Sequence, residues 1–228
     1  MMVDYSPLWI SLKVAAAATV ITFFLGLMAA WLVLKMKRGR AVVDGLLSLP
    51  MVLPPTVVGF FLLMALGKNS FFGNMLRELG FEALFTWQGA VVAAAAVSFP
   101  IMYRTARGAL EQVDENLINA GRTLGMSEGS IFLRIMIPLS RPGIAAAAIL
   151  SFARALGEFG ATIMLAGNIP GKTQTMSIAI YTAMQSGDRS KAYIWVAIVM
   201  AISFAVMLLM NVWNDRQSRL SGKRRSEG

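Results

Sequence analysis

The chain has 228 residues, 57% of them hydrophobic and 14% charged, with a mean hydropathy of +0.63, and a soluble domain of this size could not hide that much apolar surface. It contains no cysteine and no histidine, which excludes disulfides and thiolate chemistry and makes zinc, haem and serine–histidine catalysis poor expectations. The net charge of +9 could suit a nucleic acid, but the cations gather beside the apolar runs, which is a membrane-topology signal and argues for lipid and against a nucleic-acid partner.

Val14 to Leu34 is uncharged and long enough to cross a hydrocarbon core about 30 Å thick, so it predicts the first span. Lys35, Lys37, Arg38 and Arg40 follow at once. Met1 to Ser11 is not basic and no small-residue cleavage site stands out after the run, so this span is expected to stay in the mature protein. The second run, Leu46 to Gly67, is also uncharged but carries Pro50, Pro54 and Pro55 near one end. Prolines free backbone carbonyls that need partners inside the protein, so this span is expected to kink and to face protein, with the kink either near the bilayer surface or against a substrate. A loop from Lys68 to Thr86, broken by Gly73 and Gly80, leads to Trp87 at an interface. The third span starts near Gly89 and is expected to continue as helix past Arg104, over about residues 89–106. Its small residues Ala93 to Ala96 predict an interior helix, and Pro100 is a kink site.

Gly108 to Pro142 is a polar segment between apolar runs, expected to form a loop over about residues 108–141 with Asn119 to Gly125 at its middle. Asp114 can cap a helix in which Leu117, Ala120, Gly121 and Leu124 share one face, and Gly125 suits the left-handed residue that ends it. Ser127 can cap a second short helix, where Ile131 and Ile135 repeat at four, as do Phe132 and Met136. Pro138 and Pro142 bracket the exit. Two short amphipathic helices joined at a glycine make a knob outside the bilayer, which either docks on a partner or packs on its own chain.

The fourth span, Gly143 to Ala166, contains Arg154 and Glu158, four apart on one face. Ionisable groups within a span are costly, so the two either line a path or form an internal ion pair that fixes the bundle. Thr173 to Gln185 is a helix candidate too short to cross, expected at the outer surface or at the mouth of a pathway. The fifth span, Tyr193 to Trp213, precedes a tail with Arg216, Arg219, Lys223, Arg224 and Arg225. With five spans, one side collects fourteen basic residues from the first loop, the polar segment and the tail, against six on the other. The positive-inside rule then places the N-terminus outside and the polar segment and C-terminus in the cytoplasm.

Gly167 to Thr173 looks like a phosphate-binding loop, but it has three residues between its glycines where four are needed, no strand precedes it, and it falls on the outer side. The chain is therefore not expected to hydrolyse ATP or to be an enzyme. Ser98 and Ser151 lack a histidine partner, and no cofactor or metal site is expected.

Asn119-Ala120-Gly121-Arg122-Thr123-Leu124-Gly125, followed after nine residues by Ile135-Met136-Ile137-Pro138, is similar to the coupling loop of ABC importer permeases. That loop reads Glu-Ala-Ala, three residues, Gly, nine residues, Ile, one residue, Leu-Pro. Ala120, Gly125, Ile135 and Pro138 keep the pattern, while Asn119, Gly121 and Ile137 depart from it. The resemblance implies that Leu117, Asn119, Ala120, Gly121, Thr123, Leu124, Gly125, Ile135 and Pro138 form the coupling element that meets a separate ATPase subunit. Phe152 to Thr162, with Arg154-Ala155-Leu156-Gly157-Glu158, resembles the fourth span of molybdate and sulfate permeases, and Leu49 to Gly59 and Asn168 to Thr173 lean towards the molybdate branch. Such a resemblance implies an all-α, five-span type I ABC importer permease forming one transmembrane domain over residues 1–228. It further implies a homodimer in the cell membrane, two ATP-binding cassette subunits and an extracytoplasmic molybdate-binding protein. Sulfate, thiosulfate or tungstate are the alternative cargoes. A self-contained secondary transporter or channel would need no knob and would often show an internal repeat, which is not evident.

Overall fold

The computed structural model describes residues 4–226, with side chains of the last helix as far as residue 212. Among the described residues the chain is entirely helical. Helix α1 (Ser6–Lys35) starts where Asp4 accepts hydrogen bonds from the Ser6 N–H at 2.9 Å and from its hydroxyl at 2.8 Å. There follow α2 (Arg40–Val52), α3 (Pro55–Leu66), a short α4 (Phe71–Glu78) and the long α5 (Trp87–Glu111). Helix α5 is the interior helix its small residues predict: Ala90, Ala93, Ala94, Met102, Tyr103 and Ala106 are completely buried, and α5 runs unbroken through Pro100. Thr86 starts it by accepting from the Gly89 N–H.

Helices α1 and α5 lie side by side and parallel, their first halves sharing one apolar cluster (Val14, Ala18, Ala90, Ala94) and their second halves another (Leu27, Ala30, Met102, Ala106). After the polar segment, α9 (Arg141–Leu156) returns antiparallel, with Ile144 in the second cluster and Leu156 in the first. In the interior the Thr22 and Ser151 hydroxyls meet at 3.0 Å and tie α1 to α9, a bond of about 0.6 kcal/mol between membrane helices. Helix α11 (Met176–Gln185) is the expected short helix, and α12 (Arg189–Ser226) buries Ala192 and Trp195 while Met200, Phe204 and Leu209 stay exposed.

Two expected spans are broken. The run from 46 to 67 is two helices bent by 109°, and the first of them begins at Arg40. Leu53 is extended ahead of Pro54, and neither Pro54 nor Pro55 has an N–H, so the helix stops and restarts; Pro50, with a single missing donor, is absorbed inside α2. The run from 143 to 166 ends as a helix at Leu156 and resumes as α10 (Gly160–Ala166). Here Glu158 leaves the helix and turns its carboxylate onto the Ala161 N–H at 2.8 Å. Among the described residues three helices are long and apolar enough to cross a membrane, or up to five crossings if the bent pairs Arg40–Val52 with Pro55–Leu66 and Glu128–Leu139 with Arg141–Leu156 each count as one. The two breaks meet: a methyl on Gly160 would lie 3.1 Å from Pro55 Cβ and from Thr56 N, and one on Gly59 2.8 Å from Ala161 Cα. A side chain at Gly59 would force the backbone apart, and one at Gly160 would push Pro55 and Thr56 back by a few tenths of an ångström, so glycine permits the close approach.

Candidate functional site

The polar segment folds as the knob its caps predict. Helix α6 (Glu115–Thr123) begins where the Asp114 carboxylate accepts from the Asn116 N–H at 2.8 Å. It ends in a Schellman turn: the Met126 N–H donates to Gly121 O at 3.0 Å and the Gly125 N–H to Arg122 O at 2.9 Å, with Gly125 at φ 75°. The Ser127 hydroxyl then accepts from the Ser130 N–H and starts α7 (Glu128–Ile131). A five-residue π segment (Phe132–Met136) joins it to the short α8 (Ile137–Leu139). Pro138 cannot donate to the carbonyl four residues back, and the chain reaches it through this widened turn.

The candidate coupling residues separate into two groups. Leu117 and Leu124 are 47% and 81% exposed, and with exposed Asn119, Ala120, Thr123 and Gly125 they form the outer surface of the knob. Gly121 faces inward instead: a Cβ there would sit 3.0 Å from Ile135 Cδ1 and 3.2 Å from Ile131 Cγ1. The apolar face expected to carry Leu117, Ala120, Gly121 and Leu124 together is thus an outer stripe bordered by one inward glycine. Ile135 and Pro138 are half-buried behind it. Arg122 closes the turn, donating from Nε to Glu128 Oε1 at 2.8 Å and from Nη1 to Asn119 Oδ1 at 3.0 Å. The bond with Arg122 holds the Glu128 carboxyl below its ordinary value, and Glu128 in turn raises the Arg122 guanidinium.

The knob is anchored to the bundle. Ile131, Phe132 and Met136 are buried with Leu110 and Ala106 of α5, Val33 of α1 and Ile144 of α9. Phe132 stacks on Trp31 at 4.8 Å, and Lys35 Nζ lies 3.5 Å from the centroid of that indole. A groove of about 560 Å³ runs between the end of α1 and the knob, lined with charges of both signs including Lys37, Glu115 and Arg122. Beside it lies a network that sequence reading missed. Arg107 pairs with Asp44 and, at 3.5 Å, with Glu111; Arg40 pairs with Glu111; and the Tyr103 hydroxyl donates to Asp44 at 2.8 Å. Only Arg107 and Glu111, four apart on one helix, carry a local signal for it.

The second candidate pair sits at the α9–α10 break. Arg154 Nη1 lies 2.7 Å from Glu158 Oε2, and their side chains are 30% and 2% exposed. The structure places these two residues together, on the opposite half of α9 from the knob.

Residues 22–219 match the family described as binding-protein-dependent transport system inner membrane component. The molybdenum transport system permease protein ModB of Escherichia coli (strain K12) is 42% identical over 218 residues, covering 95% of each chain. The sulfate transport system permease protein CysT of the same organism is 33% identical over 211 residues, covering 92% of this chain and 76% of that one. Among solved structures, the MetNI methionine ABC transporter in inward-facing form is similar at TM-score 0.72 and 16% identity, over 92% of this chain and 94% of that chain. A bacterial alginate ABC transporter, in complex with an alginate pentasaccharide-bound periplasmic protein, is similar at TM-score 0.73 and 16% identity, over 92% and 78%.

Proposed function

Because this chain belongs to the binding-protein-dependent transport system inner membrane components and has the type I ABC importer permease fold, we propose that it forms the path by which an ATP-driven importer brings molybdate across the cell membrane. It is a non-enzymatic membrane component. The observation that carries the cargo is the 42% identity to a molybdenum permease along 95% of both chains, against 33% to a sulfate permease.

In this reading ATP is hydrolysed by two separate cassette subunits, an extracytoplasmic binding protein delivers the oxyanion, and two copies of this chain enclose the path. The N-terminus lies outside and the knob in the cytoplasm, as the fourteen-to-six asymmetry of basic residues supports. Leu117, Asn119, Ala120, Thr123 and Leu124 meet the ATPase, because they form the exposed side of α6. Gly121, Gly125, Ile135 and Pro138 set the shape behind that surface. Approach of the two ATPases then pulls on the knob, and the buried cluster around Phe132 and Leu110 passes the pull to α1, α5 and α9 together.

The test is co-reconstitution with a cassette subunit and a binding protein in proteoliposomes. ATP-dependent molybdate uptake, not competed by an equal concentration of sulfate, is the expected result; preferential sulfate uptake would reassign the cargo, and uptake without nucleotide would end the importer reading. Leu124→Asp is expected to leave the folded permease intact, within about 0.5 kcal/mol as for exposed sites, and to abolish co-purification of the ATPase.

A further inference from the structure

Glu158 is almost completely buried yet fully engaged, with Oε2 on Arg154 and Oε1 on the Ala161 N–H. Arg154 differs from it. Glu158 takes up only part of a guanidinium that carries five N–H donors, and among the described residues no second acceptor reaches it. Its side chain stays 30% exposed, between Ala153 and Gly157, which are also exposed. Along α9 this point lies about 20 Å from Arg141, near mid-depth of a crossing. A guanidinium with unused donors does not face lipid there; such groups face a watery cavity or a polar partner inside the bundle. The neighbouring backbone says the same. The α9–α10 break carrying Glu158 lies against the start of α3, at Pro55 and Thr56, and interrupted helices at this depth occur where they are covered by protein or line a water-filled path.

Resting on the oxyanion-permease reading above, we propose that Arg154 is the side chain that contacts the divalent oxyanion in transit, and that Glu158 is a positioning residue that aims the guanidinium and limits its grip. The free N–H groups of Arg154 match the oxygens of a tetrahedral anion. Without the carboxylate, the cation at this depth would hold a dianion too firmly to release it. The adjacent carboxylate makes the pair neutral overall, so an arriving anion meets donors without a net positive trap, and a permeation site must let its ion leave.

The experiment uses the complete transporter, with cassette subunit and binding protein, in proteoliposomes with labelled molybdate. Arg154→Gln should cut uptake by about tenfold or more while ATP hydrolysis stimulated by the loaded binding protein stays within about twofold of wild type. Arg154→Lys keeps the charge and should retain a substantial part of the uptake, which separates the role from a folding defect. Equilibrium binding of molybdate to the solubilised permease–ATPase complex, without binding protein, should tighten by about tenfold in Glu158→Gln, and turnover should slow. A purely structural pair would not tighten binding. Full uptake by Arg154→Gln, unchanged binding in Glu158→Gln, or wild-type uptake by the double variant Arg154→Met, Glu158→Met would overturn the proposal. If the wild-type complex takes up no molybdate, it is the cargo assignment that has failed.

Discussion

The knob and the place where α9 gives way to α10 both contain helices that stop and restart, and they stop for different reasons. In the knob every boundary is written locally: Asp114, Gly125 and Ser127 each satisfy backbone groups within a few residues of themselves. Water surrounds that surface, so its ion pair between Arg122 and Glu128 is about half exposed on both sides and weakly held. The α9–α10 break turns on a single buried carboxylate whose partners are a guanidinium one turn back and an amide three residues on. Where the carboxylate is this deeply buried, one charge pair does the work of several caps.

The sharpest way to break this comparison is to remove one member of the buried pair. Glu158→Ala takes the partner from Arg154 and leaves the buried Ala161 N–H without its acceptor, and an unsatisfied buried donor costs up to about 3 kcal/mol. Thermal unfolding of the purified permease in detergent should show that loss. A loss no larger than that of Asp114→Ala, about 1 kcal/mol for a cap, would erase the distinction. An intermediate effect is expected at Gly125, whose φ of 75° places any other side chain in the left-handed region at about 1–2 kcal/mol. Gly125→Val should keep the spans inserted and uncouple ATP hydrolysis from uptake in proteoliposomes; retained uptake would count against the knob as the coupling element.

The smallest effect is that of pH on the knob. Glu128 has a lowered carboxyl in the folded state, so its contribution is present above the ordinary glutamate value of about 4.3 and is lost as pH falls through the lowered one. The stability difference between wild type and Glu128→Gln should therefore vanish in acid and shrink in high salt at neutral pH, when followed by thermal unfolding. A difference that persists in strong acid would mean that Arg122 has another partner.

The knob was legible because its signals are local: two cap residues, a glycine at the turn and a four-residue repeat sufficed to place α6 and α7. The side on which Gly121 falls was not, since that depends on Ile131 and Ile135 arriving from the next helix. The pairing of Arg154 with Glu158 followed from their spacing, yet that same spacing suggested a continuous helix. Glu158 leaves it because its carboxylate finds the Ala161 N–H, a choice that only three-dimensional burial decides. The paired prolines announced a kink but not a bend as large as 109°. Asp44 meets Arg107 across 63 residues of sequence, and nothing near either residue foretells it.

That last contact reaches beyond stability. With Asp44 and Arg40 paired to Arg107 and Glu111, α2 is fastened to α5. No backbone hydrogen bond spans Leu53–Pro54. The bent run thus has one arm tied to α5 and an unbonded elbow at those two prolines, so a displacement of α3 relative to α2 can be taken up there without breaking a backbone hydrogen bond.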